Sequence, residues 1–188
     1  MVTLCDSELH SQHHNQAGYG TVKNPEHILY AVFDTTKVRD GKLYQASFDS
    51  RQLRDNDLSV CRVTHTVRNE FDTCVVKARN VLGGGLLTAL AIRNITFREP
   101  ENDEGAAFKK ALCVHDRVLP EEYDGHATLA YASFVTEIAN EKTRGSACAR
   151  IRGTLAQLMQ PILPLEEVPF RVVDEPEADD AVPAPVGL

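Results

Sequence analysis

His115, Asp116, Arg117 and His126 fall within one stretch, "VHDRVLPEEYDGHATLAY", between two apolar, strand-like runs. An aspartate can hold an imidazole in one tautomer, a histidine can pass a proton and an arginine can clamp an anion, so these residues have the parts for acid-base work. The same stretch contains Pro120, Glu121, Glu122 and the turn pair Asp124-Gly125, which is also how an exposed connection is built. The connection is the leading reading and the acid-base site its rival. If "ALCVH" and "ATLAYASFV" are neighbouring strands, their polar ends come together whichever reading holds.

A second constellation joins His27, Tyr30, Tyr44 and Ser47 on two neighbouring runs. It broadly resembles transferases that bind nicotinamide dinucleotide through a His or Arg on one strand and a Ser on the next. That resemblance implies a nucleotide-dependent transferase using His27 and Ser47, although no catalytic glutamate can be placed for it.

The remaining motifs favour structural roles. Gly83 to Gly85 are followed by Leu86 and Leu87, whereas a phosphate loop needs a Lys and a Ser or Thr there, so a helix C-cap and turn is expected. His10, His13 and His14 have helical spacing but sit in a polar arm without supporting ligands, and no metal site is assigned to them. Cys61 and His65 are near in sequence, but a nucleophilic thiol needs a pKa lowered by a positive environment, which spacing does not establish, and structural roles are expected for both. No cofactor is implied.

The five cysteines, Cys5, Cys61, Cys74, Cys113 and Cys148, are odd in number and contain no Cys-x-x-Cys pair, so disulfides are not expected. Cys61, Cys74 and Cys113 lie in apolar patterns and read as small core residues. From Leu165 onward seven acids stand against Arg171, a charge of -6 out of the chain's -7. The rest is nearly neutral, and its scattered Lys and Arg offer no footprint for nucleic acid. No apolar run reaches the roughly 18 residues a membrane span needs. The N-terminal stretch has no secretory signal pattern, which gives the expectation of a cytoplasmic protein.

These residues must be positioned by elements that hydrophobic periodicity locates. "NPEHILYAVFD" admits a helix, with Asn24-Pro25 as cap and first turn and Ile28, Leu29, Val32 and Phe33 on one face, but its Ile, Tyr, Val and Phe favour a buried strand, which is the reading taken. Asp40-Gly41 is a type I′ turn pair, with a hairpin whose second arm runs through Tyr44, Ala46 and Phe48. Leu58 to Val63 read as a further strand. Phe71, Cys74, Val75, Ala78 and Leu82 form one stripe of a helix over about residues 69 to 82, capped by Asn69 and closed by Gly83. "LLTALAI" is apolar on both faces and suits a central strand. Cys148, Ile151, Leu155 and Leu158 form a narrow seam on a helix near 146 to 160, ended by Pro161; packing on the sheet is its first reading and a partner-helix contact the next. "PEHILYAVFD", "GKLYQASF" and "LSVCR", spanning residues 25 to 62, resemble an uncharacterised group of small bacterial proteins, and the resemblance implies no function.

The expected fold is a single α+β domain over residues 23 to 165, with a mainly antiparallel or mixed sheet packed by two helices. A polar arm, 1 to 22, precedes it and an acidic, proline-rich tail, 166 to 188, follows. The leading functional expectation is a non-enzymatic interaction or accessory subunit, with a protein partner and self-association both open. Its contact residues would be Glu175, Glu177, Asp179 and Asp180 in the tail, against a basic surface, and Ile151, Leu155 and Leu158 on the seam. The alternative is a small enzyme using either constellation above.

Overall fold

Side-chain alternation decides the first strand. In His27–Val32 (β1), Ile28, Tyr30 and Val32 enter one buried cluster while Leu29 and Ala31 enter another. This is a computed structural model describing residue 8 and residues 20–77, 80–98, 108–117 and 125–172. Asp40 and Gly41 take φ of 52° and 72°, as a type I′ turn demands, and join Val38–Arg39 (β2) to Lys42–Leu43 (β3). The expected second arm ends there. Tyr44 N donates to Ser47 Oγ at 2.8 Å and coils the chain into a 3-10 turn, Gln45–Ser47.

Asp49 caps Ser50–Arg54 (α1), and Leu58–Arg62 (β4) follows as alternation predicts. Arg68–Phe71 (α2) continues into a π-helical turn, Asp72–Val76. That turn corrects the expected stripe, because it rotates Cys74 into solvent while Val75 and Val76 pack inward. Leu82 is already extended, its N–H bonded to Val32 O.

The three glycines belong to Gly83–Thr88 (β5) rather than to a helix C-cap. Thr88 Oγ1 then accepts from Ala91 N and starts Ala89–Arg93 (α3), so "LLTALAI" divides between a strand and a helix. Thr96–Arg98 (β6) and Phe108–Lys110 (β7) form a separate two-stranded ribbon. Leu112–Asp116 (β8) and His126–Tyr131 (β9) are adjacent and antiparallel. The expected run through Val135 instead breaks into Ser133–Thr136 (α4). Glu141–Leu158 (α5) starts earlier than its apolar seam, at Asn140, whose Oδ1 accepts from Thr143 N at 2.9 Å. Ile162–Leu163 (β10) completes the main sheet.

That sheet has the order β10-β5-β1-β4-β9-β8, and every pairing in it is antiparallel. The chain is thus a single α+β domain. One face packs α5, α1 and α3 against Ile28, Tyr30, Leu58, Val60, Leu112 and Leu129. The other packs Phe71, Leu165, Val168 and Phe170 against Leu29 and Cys61. Ile151 and Leu155 lie in the first core, so they hold this chain together and are not presented to a partner. Leu158 alone of the seam stays exposed, at 44%. The packed body also reaches past residue 165, since Arg171 N donates to Thr66 O at 3.0 Å. It begins before residue 23, with Val22 buried. Glu175, Glu177, Asp179, Asp180 and the three clustered histidines lie outside the described residues.

Two further observations bear on class. No helix among the described residues is long and apolar enough to cross a membrane. Cys113 is disulfide-bonded, which corrects its assignment as a free core thiol; Cys61, Cys74 and Cys148 are free. Disulfide pairing has no signature in spacing alone.

Glycine positions give a paired test of this packing. A Cβ on Gly85 would lie 2.9 Å from Met159 Cβ and 3.1 Å from Met159 O, whereas one on Gly153 in α5 meets open space. Gly85→Ala should destabilise by about 1–3 kcal/mol through overpacking. Gly153→Ala should stabilise by about 0.5–1 kcal/mol through helix propensity. Urea midpoints of the two variants check both signs.

Candidate functional site

Arg62 ends β4 on the same face as Leu58 and Val60, and that parity carries its guanidinium inward, where it is 1% exposed. Its Nε donates to Glu26 Oε2 at 2.8 Å and its Nη2 to Glu26 Oε1 at 3.0 Å, a two-pronged pair. Its Nη1 donates to Asp116 Oδ1 at 2.6 Å and to Gly20 O at 3.0 Å. Glu26 is held in turn by Lys23 N at 2.6 Å. Gly125 permits the close approach behind this group, because its O accepts from Arg62 N at 2.7 Å while a Cβ there would sit 1.9 Å from Thr66 Oγ1.

His65 stands at the rim of this network, its Nε2 3.4 Å from Glu26 Oε2 and its ring about a quarter exposed. Burial holds its pKa below the ordinary histidine range, Arg62 pushing the same way and Glu26 opposing. It is therefore neutral at neutral pH and backed by a carboxylate. Cys61 is a different case. Its Sγ donates to Thr66 Oγ1 at 3.1 Å and burial pushes the thiol up to about 12, which removes it as a nucleophile.

A second buried guanidinium, Arg93 of α3, is organised in parallel. Its Nε lies 3.2 and 3.3 Å from the two carboxylate oxygens of Glu8, its Nη1 donates to Asn24 Oδ1 at 2.8 Å and its Nη2 to Val22 O at 2.8 Å. Glu8 Oε1 also accepts from Val114 N at 2.6 Å, on the outer edge of β8. The segment 20–26 is thus gripped at alternate residues: Gly20 and Glu26 by Arg62, Val22 and Asn24 by Arg93.

The residues singled out in sequence are divided among these surroundings. Asp116 is spent on Arg62. His115, next along β8, is on the opposite face and buried; desolvation lowers its pKa, with Glu8 opposing and Arg93 reinforcing. Arg117 Nη1 donates to Asn56 O at 3.0 Å, and His126 Nδ1 donates to Arg117 O. So β8 and β9 do bring their polar ends together, but Asp116 and His126 do not form a dyad.

In the weaker constellation, Tyr30 OH donates to Ser47 O at 2.6 Å, and burial raises the phenol to about 12. Ser47 Oγ donates to Lys37 O, and Tyr44 OH to Thr36 O at 2.7 Å. His27 shares its parity with Leu29 and Ala31, so it projects from the face opposite Tyr30 and Ser47. That geometry separates the two residues the transferase resemblance requires.

Arg62, Glu26, Arg93 and Glu8 were not singled out in sequence. A charged residue two positions beyond Val60 in an alternating strand, and another inside "ALAIRNI", were the available signals. The chain matches no protein-family model, no curated protein and no solved structure.

Arg62→Met should cost about 3–5 kcal/mol by leaving Glu26 and Asp116 buried without their cation. The denaturation midpoint at neutral pH measures it. A pH dependence follows from His65 and His115, whose pKa values are both lowered on folding from 6.5. The unfolded chain then binds more protons as pH falls, so stability is complete above that value and declines toward the lowered folded values. Melting temperatures measured from about pH 8 down to about pH 5 should fall, and His115→Gln should flatten the decline.

Proposed function

We propose that this chain is a non-enzymatic interaction or accessory subunit. The observation that supports it most is how the reactive groups singled out are employed: Asp116 neutralises Arg62, Tyr30 and Ser47 brace the turn after β3, and Cys61 is held by Thr66. Each makes an internal bond that positions backbone. None of these groups is left facing a substrate.

The contact surface in this reading includes the β6–β7 ribbon. Phe108 is 69% exposed there, with Arg98 across the ribbon and Lys109 beside it, and Lys109 Nζ lies 5.6 Å from the centre of the Phe134 ring. An exposed aromatic flanked by cations suits an acidic partner surface. The acidic stretch with Glu175, Glu177, Asp179 and Asp180 suits a basic one, and its contact would weaken with salt. The two signs together also accommodate a second copy of this chain.

Native mass measurement on the chain purified at low salt tests the reading. A stoichiometric companion, or a second copy, is expected. Phe108→Ser should weaken capture by about tenfold or more, a hot-spot loss of at least ~1.4 kcal/mol, while leaving the melting temperature unchanged. A lone monomer at low salt would remove the interaction reading.

A further inference from the structure

The β6–β7 ribbon leaves a strand edge that none of the described residues fills. Its register sets Thr96 opposite Lys110, Phe97 opposite Lys109 and Arg98 opposite Phe108. One step further, Ala111 N donates to Ile95 O at 2.8 Å. Antiparallel ladders alternate hydrogen-bonded and non-hydrogen-bonded pairs, so Phe97 and Lys109 bond each other while the backbone N–H and C=O groups of Phe108 and Lys110 turn outward along β7. Those outward groups meet no hydrogen-bond partner among the described residues. β6 runs beside α5 and Phe97 packs against the first core, so the ribbon is anchored through β6 and open along β7.

A row of unpaired backbone groups is a template for one more strand, and the side chains along it define which strand fits. Phe108 and Lys110 project on one face of β7 and Lys109 on the other. Phe108 is 69% exposed, and Lys110 Nζ, shielded from water, has no hydrogen-bond partner among the described residues. With Arg98 opposite Phe108, the two strands carry three cations and no acid. A second copy joining by the same edge would line up two lysines from each chain along one short seam, where like charges repel. The chain's own acidic stretch has Pro176 between Glu175 and Glu177, and proline lacks the N–H that a ladder needs.

We propose that the β7 edge accepts an extended acidic segment of a partner protein as a third strand of the ribbon, with carboxylates facing Lys109 and Lys110 and an apolar side chain against Phe108. Backbone bonds to Phe108 and Lys110 supply the attachment, and the alternating side chains supply the selectivity. The edge belongs to the ribbon surface of the interaction reading, on which it rests, and gives that surface a partner of defined chemistry.

The test titrates the full chain at low salt with a blocked peptide, Thr-Glu-Glu-Val-Thr, and follows amide hydrogen exchange by NMR. At saturation the peptide should slow exchange at the Phe108 and Lys110 amides by at least about tenfold. The same peptide with alternate backbone nitrogens methylated keeps its charge but loses strand hydrogen bonds, and it should give no protection. Lys110→Pro removes one outward N–H and one cation without touching the Phe97–Lys109 pair, and should weaken binding by at least about tenfold. Lys110→Glu should weaken it as much and should favour Thr-Lys-Lys-Val-Thr instead. Should either variant fail to fold, exchange at Phe108 and Lys110 in the wild type decides. Equal binding of the methylated peptide would reduce the contact to charge attraction and overturn strand addition. Protection at Thr96 and Arg98 in place of Phe108 and Lys110 would overturn the choice of edge. Binding that appears only after removal of residues 173–188 would make the chain's own acidic stretch the occupant and overturn the partner. A companion in the native mass measurement, with β7 amides that the peptide leaves unprotected, would refute this edge and leave the interaction reading standing.

Discussion

A guanidinium removed from water costs several kcal/mol unless acceptors replace the water around it, and two are buried among the described residues. Arg62 and Arg93 both find acceptors on the segment 20–26. That shared dependence fixes the entry to β1, because Gly20, Val22, Asn24 and Glu26 cannot slide without orphaning one cation or the other. Asp116 ties the far end of β8 to the same point. Such pairs add little net stability compared with well-packed apolar residues, and their effect is to make competing arrangements expensive. Strand register here is protected by charge as well as by the alternation of apolar side chains.

The second face of the sheet depends on a different closure. Leu29, Cys61 and Phe71 would be open to water without residues 165–171. Arg68 fastens that stretch, its Nη1 donating to Leu165 O at 2.6 Å and its guanidinium lying 5.6 Å from the centre of the Phe170 ring. Composition alone places the domain boundary at residue 165, because the acids around Val168 and Phe170 mask two apolar anchors. Their contact with Phe71, whose ring centre lies 5.1 Å from that of Phe170, is long in sequence and invisible to a local pattern.

Much of the sheet was legible. β4 follows from period-two alternation, β1, β8 and β9 from short apolar runs buried on both faces, and the Asp40-Gly41 hairpin from turn chemistry that only φ-positive residues satisfy. The failures have physical causes. Three successive glycines carry no side chains, so β5 is defined by its neighbours, with Val32 opposite Gly83 and Ile162 opposite Gly85. "LLTALAI" is apolar at every position but Thr88, and it was the capping hydroxyl of that residue that divided strand from helix. Among the site residues, the placement of Asp116 and His126 on neighbouring strands was readable, whereas the partner each chose was not. Arg62 lies 36 residues from Glu26 and 54 from Asp116, and local spacing has no information over such separations.

The two arginine clusters differ in their charged partners, yet the histidine beside each behaves alike. Arg62 faces two carboxylates, while Arg93 and Lys110 share Glu8. His65 feels Glu26 and Asp116 against Arg62 and Lys23, and His115 feels Glu8 against Arg93. In both cases the charges oppose one another and removal from water is the larger cause, so both imidazoles are driven to the neutral form. The fold thus keeps His65 and His115 uncharged by burial more than by the sign of any neighbour. A change that admits water to either cluster would alter its titration even if every ion pair survived.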